Sequence, residues 1–160
     1  MEHSENTQIL LALICEAFKD VYLEDGVSLH QTIVIDNYGS NAEMVEARLK
    51  DEKKDWQKLI SKPELLNIHG IGGLSFFDAK GLRFHLPAYL SSVVINPDLE
   101  ISDSLIFTLT HKSEYNDNRL SLLNPQMKHC IGVILSYFRT LPNFEYCQTS
   151  IEEVLPFYMS

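Results

Sequence analysis

The sequence has no long apolar run. No stretch of about 18 consecutive apolar residues occurs, so we expect no transmembrane helix. The N-terminus carries acidic side chains, Glu2 and Glu5, where a secretory signal peptide would carry basic ones. Both absences predict a cytoplasmic protein that does not contact membranes.

Cysteine is also scarce, and the motifs of metal sites are missing. Three cysteines, Cys15, Cys130 and Cys147, are an odd number and lie far apart, which argues against a disulfide framework. The six histidines are widely separated, and neither H-E-x-x-H nor paired C-x-x-C occurs. We therefore predict no metal site and no cofactor.

Catalytic signatures are absent as well. There is no G-x-S-x-G or Cys–His signature for a nucleophile. There is also no phosphate-loop motif, and the glycines at 70–73 precede a predicted strand instead of following one. No catalytic residue is predicted, although residues that are distant in sequence can still form a site in space.

The chain has fewer basic than acidic residues. It contains 13 Lys and Arg and 22 Asp and Glu, which gives a net charge of −9. Residues 1–47 contain nine acids and one base, whereas residues 48–62 contain six bases and three acids. An acidic surface repels nucleic acid and attracts basic partners, although solubility alone also explains such a charge. The bases of 48–62 alternate with acids, which indicates a solvated helix face rather than a nucleic-acid site.

The stretch at 74–94 organises the predicted fold. Leu82, Phe84 and Leu86 alternate with Arg83 and His85, the period of a strand with one buried face. Residues 74–77 are rich in strand formers and predict a partner strand.

The residues that flank this second predicted strand suit a hairpin followed by a helix. Asp78 and Gly81 occupy the first and fourth positions of a predicted type I turn. Pro87 suits the first turn of a helix. A lone hairpin is marginal in water, so helices must cover it.

The predicted fold class is α+β, a single domain over residues 1–160 with five or six helices around an antiparallel sheet of strands 74–77, 82–86 and 104–110. Helices are predicted at 7–21, from a Ser40–Glu43 capping box to about 59, at 124–139 and at shorter segments. Val45, Leu49 and Trp56 form one apolar stripe of the second helix, and residues 28–36 fit either a helix or a strand. The predicted core is Leu10, Leu13, Ile14, Phe18, Trp56, Phe77, Phe84, Leu86, Leu90, Phe107, Leu109, Ile131, Ile134 and Phe138.

Two blocks of sequence carry a family resemblance. A D-E-K-K-D-W segment at 51–56 is followed by F-D-A-K-G-L-R-F-H-L-P-A-Y at 77–89. Together they resemble a family of small bacterial proteins of unknown function, with a D-E-K-x-D-W helix and an F-D-A-x-G-x-R-F-x-L-P-A block. The resemblance implies a cytoplasmic bacterial α+β domain and brings no activity, substrate or catalytic residue.

The first functional hypothesis is a non-enzymatic protein-binding module, specifically an immunity or antidote protein that neutralises a bacterial toxin. Small size, missing catalytic signatures and the acidic N-terminal third favour it. Many toxins are basic nucleases, and an acidic protein would cover their substrate groove and associate with them rapidly. The predicted contact residues are Glu24, Asp25, Asp36, Glu43 and Glu46.

The second hypothesis is a small-ligand binder or enzyme. Asp78, Arg83 and His85 would form a polar site beside the hairpin, with Trp56 as a wall, and Arg83 would favour an anionic ligand. The structural alternative is that Arg83 pairs with a carboxylate, His85 bonds to backbone and Trp56 closes a core.

The third hypothesis is an accessory subunit that forms a homodimer through the exposed part of the Trp56 helix.

Overall fold

The structure is a computed structural model that describes residues 4–60, 62–68 and 70–160, without the side chains of 70–72. These residues form α helices joined by loops and three 3₁₀ helices, and they contain no strand. The α helices are α1 (Glu5–Ala17), α2 (Leu29–Asp36), α3 (Asn41–Leu49), α4 (Pro63–Leu66), α5 (Ala79–Ile95), α6 (Ile101–Thr110), α7 (Glu114–Leu120), α8 (Pro125–Phe138) and α9 (Gln148–Met159). The 3₁₀ helices are Trp56–Leu59, Gly70–Phe76 and Pro142–Cys147.

The predicted α+β class is wrong, because all three predicted strands lie in helices. The first falls largely in the 3₁₀ helix Gly70–Phe76, the second in α5 and the third in α6. Helix α5 is buried on nearly every side, so apolar residues occur on all of its faces and include an alternating set by chance. Periodicity alone does not separate such a helix from a strand.

Phe107 was also predicted incorrectly, because it was assigned to the buried face of a strand. Leu105 and Leu109 are four residues apart and share the buried face of α6, whereas Phe107 lies between them and is 58% exposed. A strand would have placed all three on one face. Of the other predicted core residues, Leu13 is partly buried and the rest are buried.

Asp78 and Pro87 also have different roles from those predicted. Asp78 is the N-cap of α5, and its Oδ1 accepts a hydrogen bond from the Gly81 N–H at 2.8 Å. An N-cap and the first residue of a type I turn both favour Asp, so the local sequence fitted both. Pro87 lies inside α5 instead of starting a helix, where its missing N–H removes one helical hydrogen bond.

Helix α3 begins as predicted and ends early. The Ser40–Glu43 capping box is present, with the Glu43 N–H donating to Ser40 Oγ at 3.2 Å. The helix ends at Leu49 rather than near 59. Lys53 Nζ donates to the carbonyls of Arg48 and Asp51 at 3.0 and 2.8 Å, so it satisfies acceptors that a longer helix would have used.

The core is built around α5. This helix packs against α1, α6, α7 and the 3₁₀ helix Trp56–Leu59, while α8 packs along α9 and against α1. The segment at 28–36, which the sequence assigned to either a helix or a strand, is helical and forms α2. The sequence also predicts a capping box from Ser61 to Glu64, and Ser61 lies outside the described residues. None of the described helices is long and apolar enough to cross a membrane.

Candidate partner-binding surface

A loop at residues 24–27 crosses the N-terminus of α5, and two glycines allow the contact. A Cβ on Gly26 would lie 2.6 Å from the Gly81 nitrogen, and a Cβ on Gly81 would lie 2.6 Å from the Val27 carbonyl oxygen. Both distances are far below van der Waals contact. We call this contact between the loop and α5 the loop–helix junction.

Asp78 joins the two sides of the loop–helix junction. Its Oδ1 accepts the Gly81 N–H at 2.8 Å within α5 and the Val27 N–H at 2.9 Å from the loop. One carboxylate therefore caps the helix and also satisfies a donor of the loop.

The carboxylates of the loop are paired with bases of α5. Arg83 donates to Glu24 Oε2 at 2.5 Å, and Lys80 donates to Asp25 Oδ1 at 2.6 Å. The hydrogen bond from Lys80 lowers the pKa of Asp25, and the same bond raises the pKa of Lys80. Glu24 and Asp25, two of the five predicted contact residues, are therefore partly neutralised within the chain.

Arg48 holds the other side of the loop. Its guanidinium donates to the carbonyl oxygens of Glu24 and Gly26. Neither Arg48 nor Lys80 was predicted to take part in a site, and the long sequence separations of these contacts leave no local signal that could have found them.

His85 and Trp56 lie in the core and not at a ligand site. His85 Nδ1 bonds to the Gly81 carbonyl at 2.7 Å, and its ring stacks on Phe77 at 4.2 Å. Burial lowers the pKa of His85 to about 4. Trp56 donates from Nε1 to the Phe18 carbonyl at 3.0 Å. Both side chains are shielded from solvent, so neither presents a group to a ligand in this conformation.

The other three predicted acids lie away from the loop–helix junction. Asp36 is the last residue of α2, and Glu43 and Glu46 belong to α3. All three are exposed. Glu43 is held in the capping box by the Ser40 N–H at 3.1 Å.

Helix α3 has its apolar stripe on the outside. Ala47 is its buried residue, while Ala42, Val45, Glu46 and Leu49 are exposed at spacings of three and four, so they share one face. Val45 is 63% exposed and Leu49 is 77% exposed. Val45 and Leu49, which were predicted to share one apolar stripe with Trp56, therefore face solvent, whereas Trp56 is buried.

The turn before α3 exposes an aromatic residue in an unusual conformation. Tyr38 is 96% exposed and has φ of 55°. The Gly39 N–H donates to the Val34 carbonyl at 2.8 Å and the Tyr38 N–H to Ile35 at 3.1 Å, which is a Schellman motif at the end of α2. Glycine usually occupies the position of Tyr38 in that motif, because a side chain there is strained.

These residues define the α3 face, which consists of Asp36, Tyr38, Ala42, Glu43, Val45, Glu46 and Leu49. It combines exposed apolar groups with acids and has no covering element among the described residues. Exposed aromatic and aliphatic groups with a charged rim are typical of protein-binding surfaces.

A groove of about 610 Å³ lies beside α6 and includes the exposed Phe107 and Tyr146. Its acid, Asp103, accepts a hydrogen bond from the Tyr146 hydroxyl. Burial raises the pKa of the Cys147 thiol in its wall, so this cysteine is not an activated nucleophile. None of the predicted site residues lines this groove.

A family model covers most of the chain. The family described as "Family of unknown function (DUF6714)" matches residues 6–159. No curated protein and no solved structure matches the chain.

Proposed function

Since this chain belongs to the DUF6714 family, whose function is unknown, we propose a function from its surface. The chain is a non-enzymatic module that binds a basic partner protein on the α3 face. The partner's own apolar groups cover Val45 and Leu49, and its bases meet Asp36, Glu43 and Glu46.

The main support for this proposal is the strained backbone and the exposed side chain of Tyr38. A residue with a Cβ at positive φ costs about 1 kcal/mol relative to glycine, and the Tyr38 side chain makes almost no contact that would offset this cost, since it is 96% exposed. Strain of this kind is common at functional sites. Tyrosine is also among the residues that contribute most to protein–protein binding.

Charge selects the class of partner. The chain has a net charge of −9, and Glu43 and Glu46 of the α3 face are not among the carboxylates paired with Lys80 and Arg83. Opposite charges accelerate association and exclude partners of like charge. The finer form of the proposal is that the partner is a bacterial toxin domain, such as a basic nuclease, and that this chain is its immunity protein.

The experiment starts by identifying the partner. A photo-crosslinking amino acid at position 49 should capture a basic protein in cells that naturally express the chain, whereas the same group at Ile9, which is 59% exposed on α1, should not. The captured protein is then purified, and its affinity for the chain is measured at rising salt.

The expected result is that affinity falls with salt and that Glu46→Lys lowers it at least tenfold. Glu153→Lys on α9 is the matched control and should have little effect. An acidic captured protein, or binding that is insensitive both to salt and to Glu46→Lys, would contradict the proposal. If the captured protein is a nuclease, the chain should also inhibit its activity, and uninhibited activity in the complex would remove the immunity hypothesis.

A further inference from the structure

A small pocket beside α2 holds a second cluster of charged side chains. Its volume is about 240 Å³, and it lies where the start of α2, the segment after α3 and the 3₁₀ helix Trp56–Leu59 meet. Its lining residues include His30, Lys50, Asp51, Glu52, Lys58 and Lys62.

His30 and Asp51 form a fixed pair in this pocket. Asp51 Oδ2 accepts the His30 backbone N–H at 2.7 Å, and Oδ1 accepts a hydrogen bond from His30 Nδ1. The Asp51 side chain is 3% exposed, while that of His30 is 28% exposed. An ionised carboxylate accepts only, so Nδ1 carries its proton and the ring is oriented with Nε2 as its remaining polar atom.

Three lysines line the same pocket as His30. Lys50, Lys58 and Lys62 line the pocket together with the acids Asp51 and Glu52, so the lining has a net positive charge in a chain whose net charge is −9. Lys58 lies 3.9 Å from Glu52. Lys50 and Lys62 have no ion-pair partner among residues 4–60, 62–68 and 70–160.

We propose that this pocket binds a phosphate group, either inorganic phosphate or the phosphate of a small monoester. Ammonium groups act as point charges for phosphate oxygens, and His30 Nε2, the ring nitrogen that Asp51 does not bind, can accept a hydrogen bond from a phosphate O–H. The volume is below the roughly 300 Å³ at which pockets for drug-sized ligands begin. The size therefore favours a phosphate with a small substituent over a nucleotide.

The site is separate from the α3 face, because the two share no residue. Changes to His30 or Lys62 leave Tyr38, Val45 and Leu49 intact. Phosphate binding and partner binding therefore succeed or fail independently of one another.

The test is a titration of the full chain with inorganic phosphate and, in a second arm, with glycerol phosphate. Ionic strength is held constant with sodium chloride. NMR signals of the histidine rings report the binding site, and calorimetry reports the affinity. The expected result is a saturable shift of the His30 ring signals that exceeds the shift of His111 or His129. Saturation in either arm supports the pocket, and the tighter arm identifies the source of the phosphate.

Matched variants locate the binding. His30→Gln and the double change Lys50→Gln with Lys62→Gln should each weaken binding at least tenfold, while Lys54→Gln, a lysine of the same segment outside the pocket, should not. The double lysine variant alters exposed side chains only, so it tests the pocket even if His30→Gln fails to fold. Shifts that rise linearly with phosphate in both arms, or equal binding in the double variant and Lys54→Gln, would overturn the proposal.

Discussion

The loop–helix junction and the α3 face contain acids of the same N-terminal third, yet the structure uses them in opposite ways. Glu24 and Asp25 pair with Arg83 and Lys80 and help to hold a loop on α5. Glu43 and Glu46 stay exposed on α3 beside an uncovered apolar stripe. A run of acids in sequence therefore does not define one surface, because bases distant in sequence select which acids they neutralise.

The loop–helix junction and the α3 face also differ in their use of glycine. Gly26 and Gly81 occur where two backbones meet so closely that no Cβ fits. At Tyr38, a position that usually takes glycine, the chain has a large exposed side chain instead. Glu24 of the junction also has a positive φ, 57°, but its side chain is paired with Arg83. We infer that contacts within the chain offset the strain at the junction, whereas the α3 face accepts the same strain at an exposed side chain that is available to a partner. The following predictions test that inference.

The largest expected effect is the pH dependence of the free energy of unfolding that comes from His85, which lies beneath the junction on α5 and bonds to the Gly81 carbonyl. Its pKa is about 4 when folded and near 6.5 when unfolded, so the unfolded chain binds the proton more readily. The stability that neutral His85 provides is complete above pH 6.5 and is lost as pH falls toward 4, by about 3 kcal/mol. Urea denaturation at several pH values measures this loss.

His85→Phe is the control for that measurement, since it preserves the stacking on Phe77 and has no titrating ring. Carboxylates also titrate below pH 5, so the informative quantity is the difference between the two proteins. Between pH 6.5 and 4 the unfolding free energy of the parent should fall by about 3 kcal/mol more than that of His85→Phe. Parallel curves would contradict the assignment.

The next largest effect is expected at the glycine contact. Gly81→Ala adds a Cβ that would lie 2.6 Å from the Val27 carbonyl oxygen, and relieving such crowding costs about 2 kcal/mol, more than the helix propensity that alanine gains. Thermal and urea unfolding measure the change. A variant as stable as the parent would mean that the loop does not lie on α5 as described.

A smaller loss is expected for Asp78→Ala, which removes the N-cap of α5 and the acceptor of the Val27 N–H. Such substitutions cost about 1 kcal/mol. Asp78→Asn keeps an oxygen acceptor in place and should retain most of the stability. Equal losses for the two variants would show that charge, and not the hydrogen bonds, is responsible.

The effect of Tyr38→Gly on stability should have the opposite sign to those of the preceding substitutions. Glycine relieves the strain of φ 55° and should stabilise the chain by somewhat less than 1 kcal/mol, while binding of the partner weakens. Circular dichroism melts and the binding assay measure both effects. If Tyr38→Gly destabilises the chain, the side chain has a structural role and the contrast between the two regions fails.

Local signals predicted the helix ends that depend on neighbouring residues. The Ser40–Glu43 box starts α3 as expected, and Asn124 caps α8 through the Met127 N–H at 2.8 Å. The hairpin failed because Asp78 and Gly81 satisfy a turn and a helix start equally well. The alternation of Leu105, Phe107 and Leu109 likewise favoured a strand, so the exposure of Phe107 was not predicted.

The candidate surface was predicted only in part. Asp36, Glu43 and Glu46 were predicted as contacts from their charge, but Val45 and Leu49 were placed on one apolar stripe with Trp56 and not on the contact surface. That stripe assumed one continuous helix to about 59, whereas α3 ends at Leu49. The pairing of Glu24 with Arg83 joins residues 59 positions apart, and no local pattern encodes it.

The most direct test of the central claim measures two quantities on Leu49→Asp, with Ile9→Asp as the matched control on α1. Both residues are exposed aliphatics on helices, so both changes should alter the unfolding free energy by less than about 0.5 kcal/mol. We predict that Leu49→Asp weakens binding of the captured basic partner more than tenfold and that Ile9→Asp leaves it unchanged. Equal affinity for the two variants, or a loss of stability confined to Leu49→Asp, would contradict the account.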